Sequence, residues 1–154
     1  MSVVQLPDEA ATAAFAARIA AVAAAGDIIA LKGDLGAGKT SFARAFIRAR
    51  GSAEAVPSPT FTLVQVYDVP PAVIWHFDLY RLNSPEEAWE LGIEDAFSDA
   101  ISLIEWPERL GSLLPAHRLE INLLFGDDPE ARRAVLDYAD QGWQRRLVGV
   151  IPGA

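Results

Sequence analysis

Gly33-Asp34-Leu35-Gly36-Ala37-Gly38-Lys39-Thr40 satisfies the pattern G-x-x-x-x-G-K-[ST] at every fixed position. The four residues Ile28-Ile29-Ala30-Leu31 lie upstream and form the short apolar run expected of a buried parallel strand. Downstream, Thr40 to Arg50 reads as a helix with Phe42, Phe46 and Ile47 on one side and Gly51 as its stop. Strand, glycine-rich turn and helix is the context in which this pattern cradles phosphate, and a chance match in a turn would lack it. The glycines let the backbone curl so that N–H groups of Gly36, Ala37 and Gly38 face phosphate oxygens, and the helix adds its positive end. Lys39 then bridges the β- and γ-phosphates, and the Thr40 hydroxyl takes one Mg²⁺ position. The expected nucleotide-binding set is Gly33, Gly36, Ala37, Gly38, Lys39, Thr40 and the adjacent Ser41.

Working outward, Asp8 to Ala25 has the composition of a helix, with Phe15, Ile19 and Val22 at helical spacing and Gly26 as its stop. Phe61 to Tyr67 and Val73 to Phe77 read as strands joined by a turn at Pro70-Pro71. Asn83-Ser84-Pro85-Glu86-Glu87 predicts a helix start with Ser84 as N-cap and Glu87 closing a capping box. Ala100 to Ile104, Leu119 to Phe125 and Arg132 to Tyr138 are further strands, and Leu147 to Ile151 is a candidate for a last one. This order predicts one α/β sheet domain over residues 1–154, without repeats or a long linker.

The totals fit that reading. A chain of 154 residues with 51% apolar and 22% charged residues is long enough to bury one sizeable core. No cysteine is present, which excludes disulfides and thiolate metal sites. The amino-terminal residues lack a basic start and an apolar run, and the Ala-rich stretch is broken by Arg18 and Asp27. A soluble, cytoplasmic chain with no membrane partner is expected. The net charge is −8 and the only lysines are Lys32 and Lys39, so a nucleic acid would be held by a partner rather than by this chain. Arg44, Arg48 and Arg50 read as the solvated face of a helix.

A P-loop also needs a carboxylate near its magnesium, at the end of a neighbouring strand. Asp78 and Glu105 both follow largely apolar runs. Either one holds the metal, directly or through water, while the other orients the attacking water. Thr60, in Ser58-Pro59-Thr60, lies where switch loops of nucleotide hydrolases sit and is a candidate sensor of the γ-phosphate. His76 faces the same side of its strand as Asp78 and reads as structural. Trp106 reads as packing, and His117 belongs to no motif. Neither lysine belongs to the Asn/Thr-Lys-x-Asp signature of guanine readers, which favours ATP.

Four segments in order, 33–40, Ser-Pro-Thr-Phe-Thr-Leu-Val at 58–64, His-Phe-Asp-Leu-Tyr-Arg-Leu at 76–82 and Glu-Trp-Pro-Glu at 105–108, resemble the TsaE (YjeE) family. The resemblance runs from about Leu6 to Phe125. It implies a three-layer P-loop NTPase-like fold with a mostly parallel central sheet flanked by helices. It also implies a weak Mg-dependent ATPase that serves formation of N6-threonylcarbamoyladenosine at position 37 of tRNAs reading ANN codons. The implied partners are the TsaD and TsaB proteins, with tRNA contacted indirectly through them. Carried onto this sequence, Thr40 and Glu105 are the Mg²⁺ ligands, and Lys39, Asp78 and Thr60 are the catalytic candidates. Trp106 matches the aromatic beside the metal ligand. Pro7-Asp8-Glu9 matches the part near the adenine, making Glu9 an expected contact. Beyond Gly126 the match fades, and Arg132 and Arg133 are candidates for any base or phosphate contact there.

Two other readings fit a P-loop: a small-molecule kinase, and a nucleotide-binding module without hydrolysis. The chain has no spare segment for the acceptor-binding region and lid of a typical kinase. An open site suits a switch whose turnover depends on a docking partner.

Overall fold

The computed structural model describes residues 2–52, 56 and 63–151. Ile28–Lys32 forms strand β2 near the middle of the sheet, and its side chains alternate between two cores. Ile29 and Leu31 face one side with the long helices, while Ile28 faces the other. A strand covered on both faces must be apolar at nearly every position, which is why this run carries no alternation of polarity.

Along the chain, β1 (Ser2–Leu6), α1 (Glu9–Val22) and β2 come first. Helix α2 (Lys39–Ala49), strands β3 (Val64–Val69) and β4 (Ala72–Asp78), and the short helices α3 (Glu87–Glu90) and α4 (Ile93–Asp99) follow. Strand β5 (Ile101–Glu105), a 3-10 segment (Pro107–Leu113), β6 (Leu119–Phe125), β7 (Arg132–Tyr138) and α5 (Gln141–Leu147) complete the order. The described strands form one sheet in the order β1-β7-β6-β2-β5-β4-β3. The pairs β6·β2, β2·β5 and β5·β4 are parallel, and the three outer pairs are antiparallel. Five of the seven strands therefore run the same way, and the sheet is the expected mostly parallel one. Helices α1 and α2 cover one face, where the Phe15 and Phe42 rings meet edge-on at 5.9 Å. Helices α3 and α4 and the 3-10 segment, through Leu110, cover the other, on Phe77 and Ile104.

Helix α1 starts as expected, with the Asp8 carboxylate accepting the Ala11 N–H at 2.8 Å. Several expectations need correction. The capping box at Ser84 does not form: the Glu87 N–H reaches the Ser84 carbonyl instead, and no side chain caps α3. Gly92, with φ of +82°, then divides the predicted helix in two. The apolar run Leu147 to Ile151 is not a strand. Asp140 caps α5 through the Gly142 N–H, Trp143 and Leu147 bury one turn apart, and Val150 and Ile151 fold back onto the Leu147 carbonyl. Strand β1, unforeseen, pairs with β7 at the sheet edge from Ser2↔Leu136 to Leu6↔Arg132. The hairpin partner of β4 begins at Val64; Phe61 and Thr62 lie outside the described residues.

The glycine-rich turn rests on the β6–β7 hairpin. Gly33 has φ of +145°, and a Cβ there would stand 2.7 Å from the Leu123 carbonyl oxygen. At Gly36, with φ of +80°, a Cβ would meet nothing within 4 Å. Gly33→Ala is expected to cost about 3 kcal/mol in urea denaturation, from strain plus backbone overlap. Gly36→Ala should cost about 1 kcal/mol, from backbone conformation alone. Equal losses at the two positions would rule out the hairpin contact as a constraint on the turn.

Candidate functional site

Parallel packing brings the carboxyl ends of β2, β4 and β5 together, the edge of an open α/β sheet where ligands bind. Asp78 and Glu105 stand directly opposite each other in the β4–β5 register, and Leu31 of β2 lies beside Glu105. The P-loop leaves β2 at this edge and turns into α2, so the first residues of the helix face the two carboxylates.

Glu105 is only 2% exposed and its carboxylate is matched by two donors. The Thr40 hydroxyl donates to Oε1 at 2.8 Å and approaches Oε2 at 3.1 Å, and His76 Nε2 lies 2.7 Å from Oε2. A buried carboxylate is tolerated only with such partners. His76 is fully buried on β4, and its Nδ1 has no partner among the described residues. Period-two alternation placed His76 on the side of Asp78, but the strand register that brings it to Glu105 is not written in either segment.

Lys39 is 5% exposed. Its ammonium donates to the Gly33 and Asp34 carbonyls of its own loop and lies 4.1 Å from the centre of the Trp106 ring. Burial draws its pKa below the ordinary lysine range, opposed by the carboxylates of Glu105, Glu108, Asp78 and Asp34. Trp106 holds a left-handed backbone (φ 58°, ψ 51°), a conformation that costs about 1–3 kcal/mol in a non-glycine residue. The indole meets both the Lys39 ammonium and the Tyr80 ring, whose centroid is 4.9 Å away. The Asp78 carboxylate is 5% exposed and accepts the Tyr80 N–H at 3.1 Å.

Two hollows meet along the loop. The smaller, about 230 Å³, is lined by Lys39, Thr40, Asp78, Glu105 and Trp106 together with loop residues. The larger, about 460 Å³, is lined by Glu9 and Thr12 of α1, Arg44 and Arg48 of α2, and Glu130 and Arg132. Gly36, Gly38 and Ser41 border both. The sequence-predicted residues Glu9, Gly36, Gly38, Lys39, Thr40, Ser41, Asp78 and Glu105 are thus gathered around one connected surface. Gly33 lies at the base of the loop. Ala37 is the exception among the loop donors: its side chain is buried and its N–H is taken by the Asp34 carbonyl at 3.0 Å. Thr60 lies outside the described residues.

Arg44 and Arg50 depart from the solvated face expected of them. Arg44 Nε donates to the Val56 carbonyl, and Arg50 Nη1 donates to the carbonyls of Ala20 and Ala23, so two of the three tie α2 to its surroundings rather than forming a solvated face. Arg133 lines a different hollow, with Gln5, Pro7 and Asp127. Arg132 donates to the P-loop itself, at the Ala37 and Gly36 carbonyls, a contact between residues 95 positions apart that no local pattern announces.

No described group of three or more His, Cys, Asp or Glu residues is arranged to hold a metal ion. The pair Thr40 and Glu105 offers hydroxyl and carboxylate oxygens, the hard donors of a Mg²⁺ site that takes its other ligands from phosphate and water. Among the described residues, no helix is long and apolar enough to cross a membrane.

Comparison with known proteins agrees with this geometry. The family model for the threonylcarbamoyl adenosine biosynthesis protein TsaE matches residues 6–134, and so continues past Gly126 to include Arg132 and Arg133. The tRNA threonylcarbamoyladenosine biosynthesis protein TsaE of Rickettsia bellii is 47% identical over 124 residues, covering 80% of this chain and 86% of that protein. Its namesake in Bacillus subtilis is 38% identical over 125 residues, covering 80% and 77%. The crystal structure of Bacillus subtilis YdiB superposes with a TM-score of 0.83 at 27% identity, covering 97% of this chain and 93% of that one. With the motifs gathered at one sheet edge and the match spanning most of its length, the chain belongs to the TsaE family of tRNA threonylcarbamoyladenosine biosynthesis proteins.

Proposed function

We propose that the chain is a Mg-dependent ATPase that works as an accessory subunit in forming N6-threonylcarbamoyladenosine at position 37 of tRNAs reading ANN codons, with TsaD and TsaB as its protein partners. The observation that carries the ATPase reading is the meeting of Thr40 and Glu105 at 2.8 Å beside Lys39, at the mouth of a complete P-loop. Family membership supports the tRNA role. The acidic surface, with net charge −8, supports tRNA being held by the partners.

In this reading the loop amides and the positive end of α2 receive the phosphates. Lys39 exchanges the carbonyls of Gly33 and Asp34 for the β- and γ-phosphates, and its desolvated ammonium acts with little screening by water. Thr40 and Glu105 would hold Mg²⁺, which would supply charge neutralisation at the phosphate oxygens. Asp78, alongside Glu105, orients the attacking water and takes up its proton. The indole of Trp106 covers Lys39 and shields that corner from solvent. Glu9 and Ser41 border the larger hollow, which takes the nucleoside. The setting is cytoplasmic. The partner supplies what an open site lacks, closure over the reacting phosphate.

ATP hydrolysis by the purified chain, alone and with TsaB and TsaD, tests this directly. A slow basal rate that rises with the partners is expected; a rate indifferent to them would remove the accessory-subunit reading. Lys39→Ala should lower both binding and turnover, the latter by about 100-fold, the scale of losing one fixed charge-stabilising group. Glu105→Ala should abolish most turnover while nucleotide binding largely persists. Asp78→Asn should keep the fold and slow hydrolysis by about 100-fold, and a wild-type rate in that variant would make Asp78 structural.

A further inference from the structure

At the start of β7 one guanidinium joins the P-loop to the β6–β7 hairpin. Arg132 Nε donates to the Ala37 carbonyl at 2.9 Å and Nη2 to the Gly36 carbonyl at 3.2 Å. Nη1 donates to the carbonyls of Pro129 and Ala131, both at 2.8 Å. The group packs against the Phe125 ring, 4.9 Å from its centre. Both arms of the fork are thus spent on backbone oxygens, two in the loop apex and two in the hairpin turn.

Apart from Arg132, the apex is held at Ala37, whose side chain is buried and whose N–H meets the Asp34 carbonyl, while the glycines on either side are open. Gly36 and Gly38 have positive φ, and a Cβ at either would meet nothing within 4 Å. Glycine segments of this kind have many accessible conformations unless something outside them fixes the peptide planes. In a trans peptide the C=O and N–H point in opposite directions. A grip on the Ala37 carbonyl therefore turns the Gly38 N–H away from the hairpin, and Gly38 borders the hollow of Lys39, Thr40 and Glu105. At the base of the same loop, Gly33 lies against the Leu123 carbonyl of β6.

From this geometry we infer that Arg132 is a positioning residue for nucleotide binding: it preorganises the P-loop apex through the Gly36 and Ala37 carbonyls rather than by touching a phosphate. The inference rests on the nucleotide-binding reading above. A loop ordered in advance spares the bound complex the entropy of ordering it, so the effect appears in affinity for any nucleotide that uses the loop amides. A direct ligand of the γ-phosphate would instead favour ATP over ADP.

The test compares the full-length wild type, Arg132→Ala, Arg132→Lys and Arg133→Ala by titration with Mg-ADP and Mg-ATP. It adds amide hydrogen exchange of the nucleotide-free loop and a melting temperature for each protein. Arg132→Ala is expected to bind both nucleotides about ten-fold more weakly and to the same extent, with faster exchange across residues 33–38 at a near-native melting temperature. Arg132→Lys should recover only part of the loss, because an ammonium cannot span both carbonyls as a fork. Arg133→Ala should match the wild type. Unchanged loop exchange, or a loss confined to ATP, would overturn the positioning role. If the alanine variant does not fold, Arg132→Lys carries the same test, and wild-type affinity and exchange in it would overturn the inference. A wild type that binds neither nucleotide would sink the nucleotide reading instead, while the exchange data still report whether Arg132 orders the loop.

Discussion

A carboxylate at the sheet edge with almost no access to water must be matched by donors, and Glu105 takes them from two different elements. Thr40 reaches it from the first turn of α2 and His76 from the middle of β4. The three side chains fix how the helix that follows the P-loop sits over the parallel strands. Losing either donor would leave a buried charge short of partners, a loss of several kcal/mol for such groups. The same contact places a hydroxyl and a carboxylate side by side, so what holds the layers together also forms the corner proposed for Mg²⁺.

The loop preceding that helix is restrained from the opposite side. β6 lies under Gly33, and β7 supplies Arg132 to the apex. A glycine-rich turn gains its anion-binding shape from conformations that glycine alone adopts cheaply, and it loses that shape equally cheaply. Bracing by a hairpin removes this freedom without placing a side chain in the hollow proposed for phosphate. Trp106, in its left-handed conformation, completes the surround by covering Lys39.

Much of this was legible in the chain. The P-loop announced its own strand and helix, and the apolar run of β2 and the largely apolar run of β5 marked buried strands because both of their faces are covered, whereas β6 showed itself by alternation, with Glu120 and Asn122 between buried residues. Asp78 and Glu105 were legible as strand-end carboxylates. Contacts set by register were not: nothing local states that His76 meets Glu105 or that Arg132 reaches residue 37. Strand β1 escaped notice because five residues at a sheet edge are stabilised by a partner 130 positions away rather than by their own pattern. The run at Leu147 to Ile151 misled for the opposite reason. Its apolar residues are buried by the end of a helix and the turn after it, and a short apolar run alone does not distinguish helix from strand.

The central claim is that this edge is built for a magnesium nucleotide. The most direct measurement is calorimetric titration of the chain with ATP in Mg²⁺ and again in excess chelator, with GTP as the competing base. The account predicts saturable ATP binding that weakens markedly without Mg²⁺ and exceeds GTP binding. Absence of ATP binding, or binding indifferent to the metal, would contradict it.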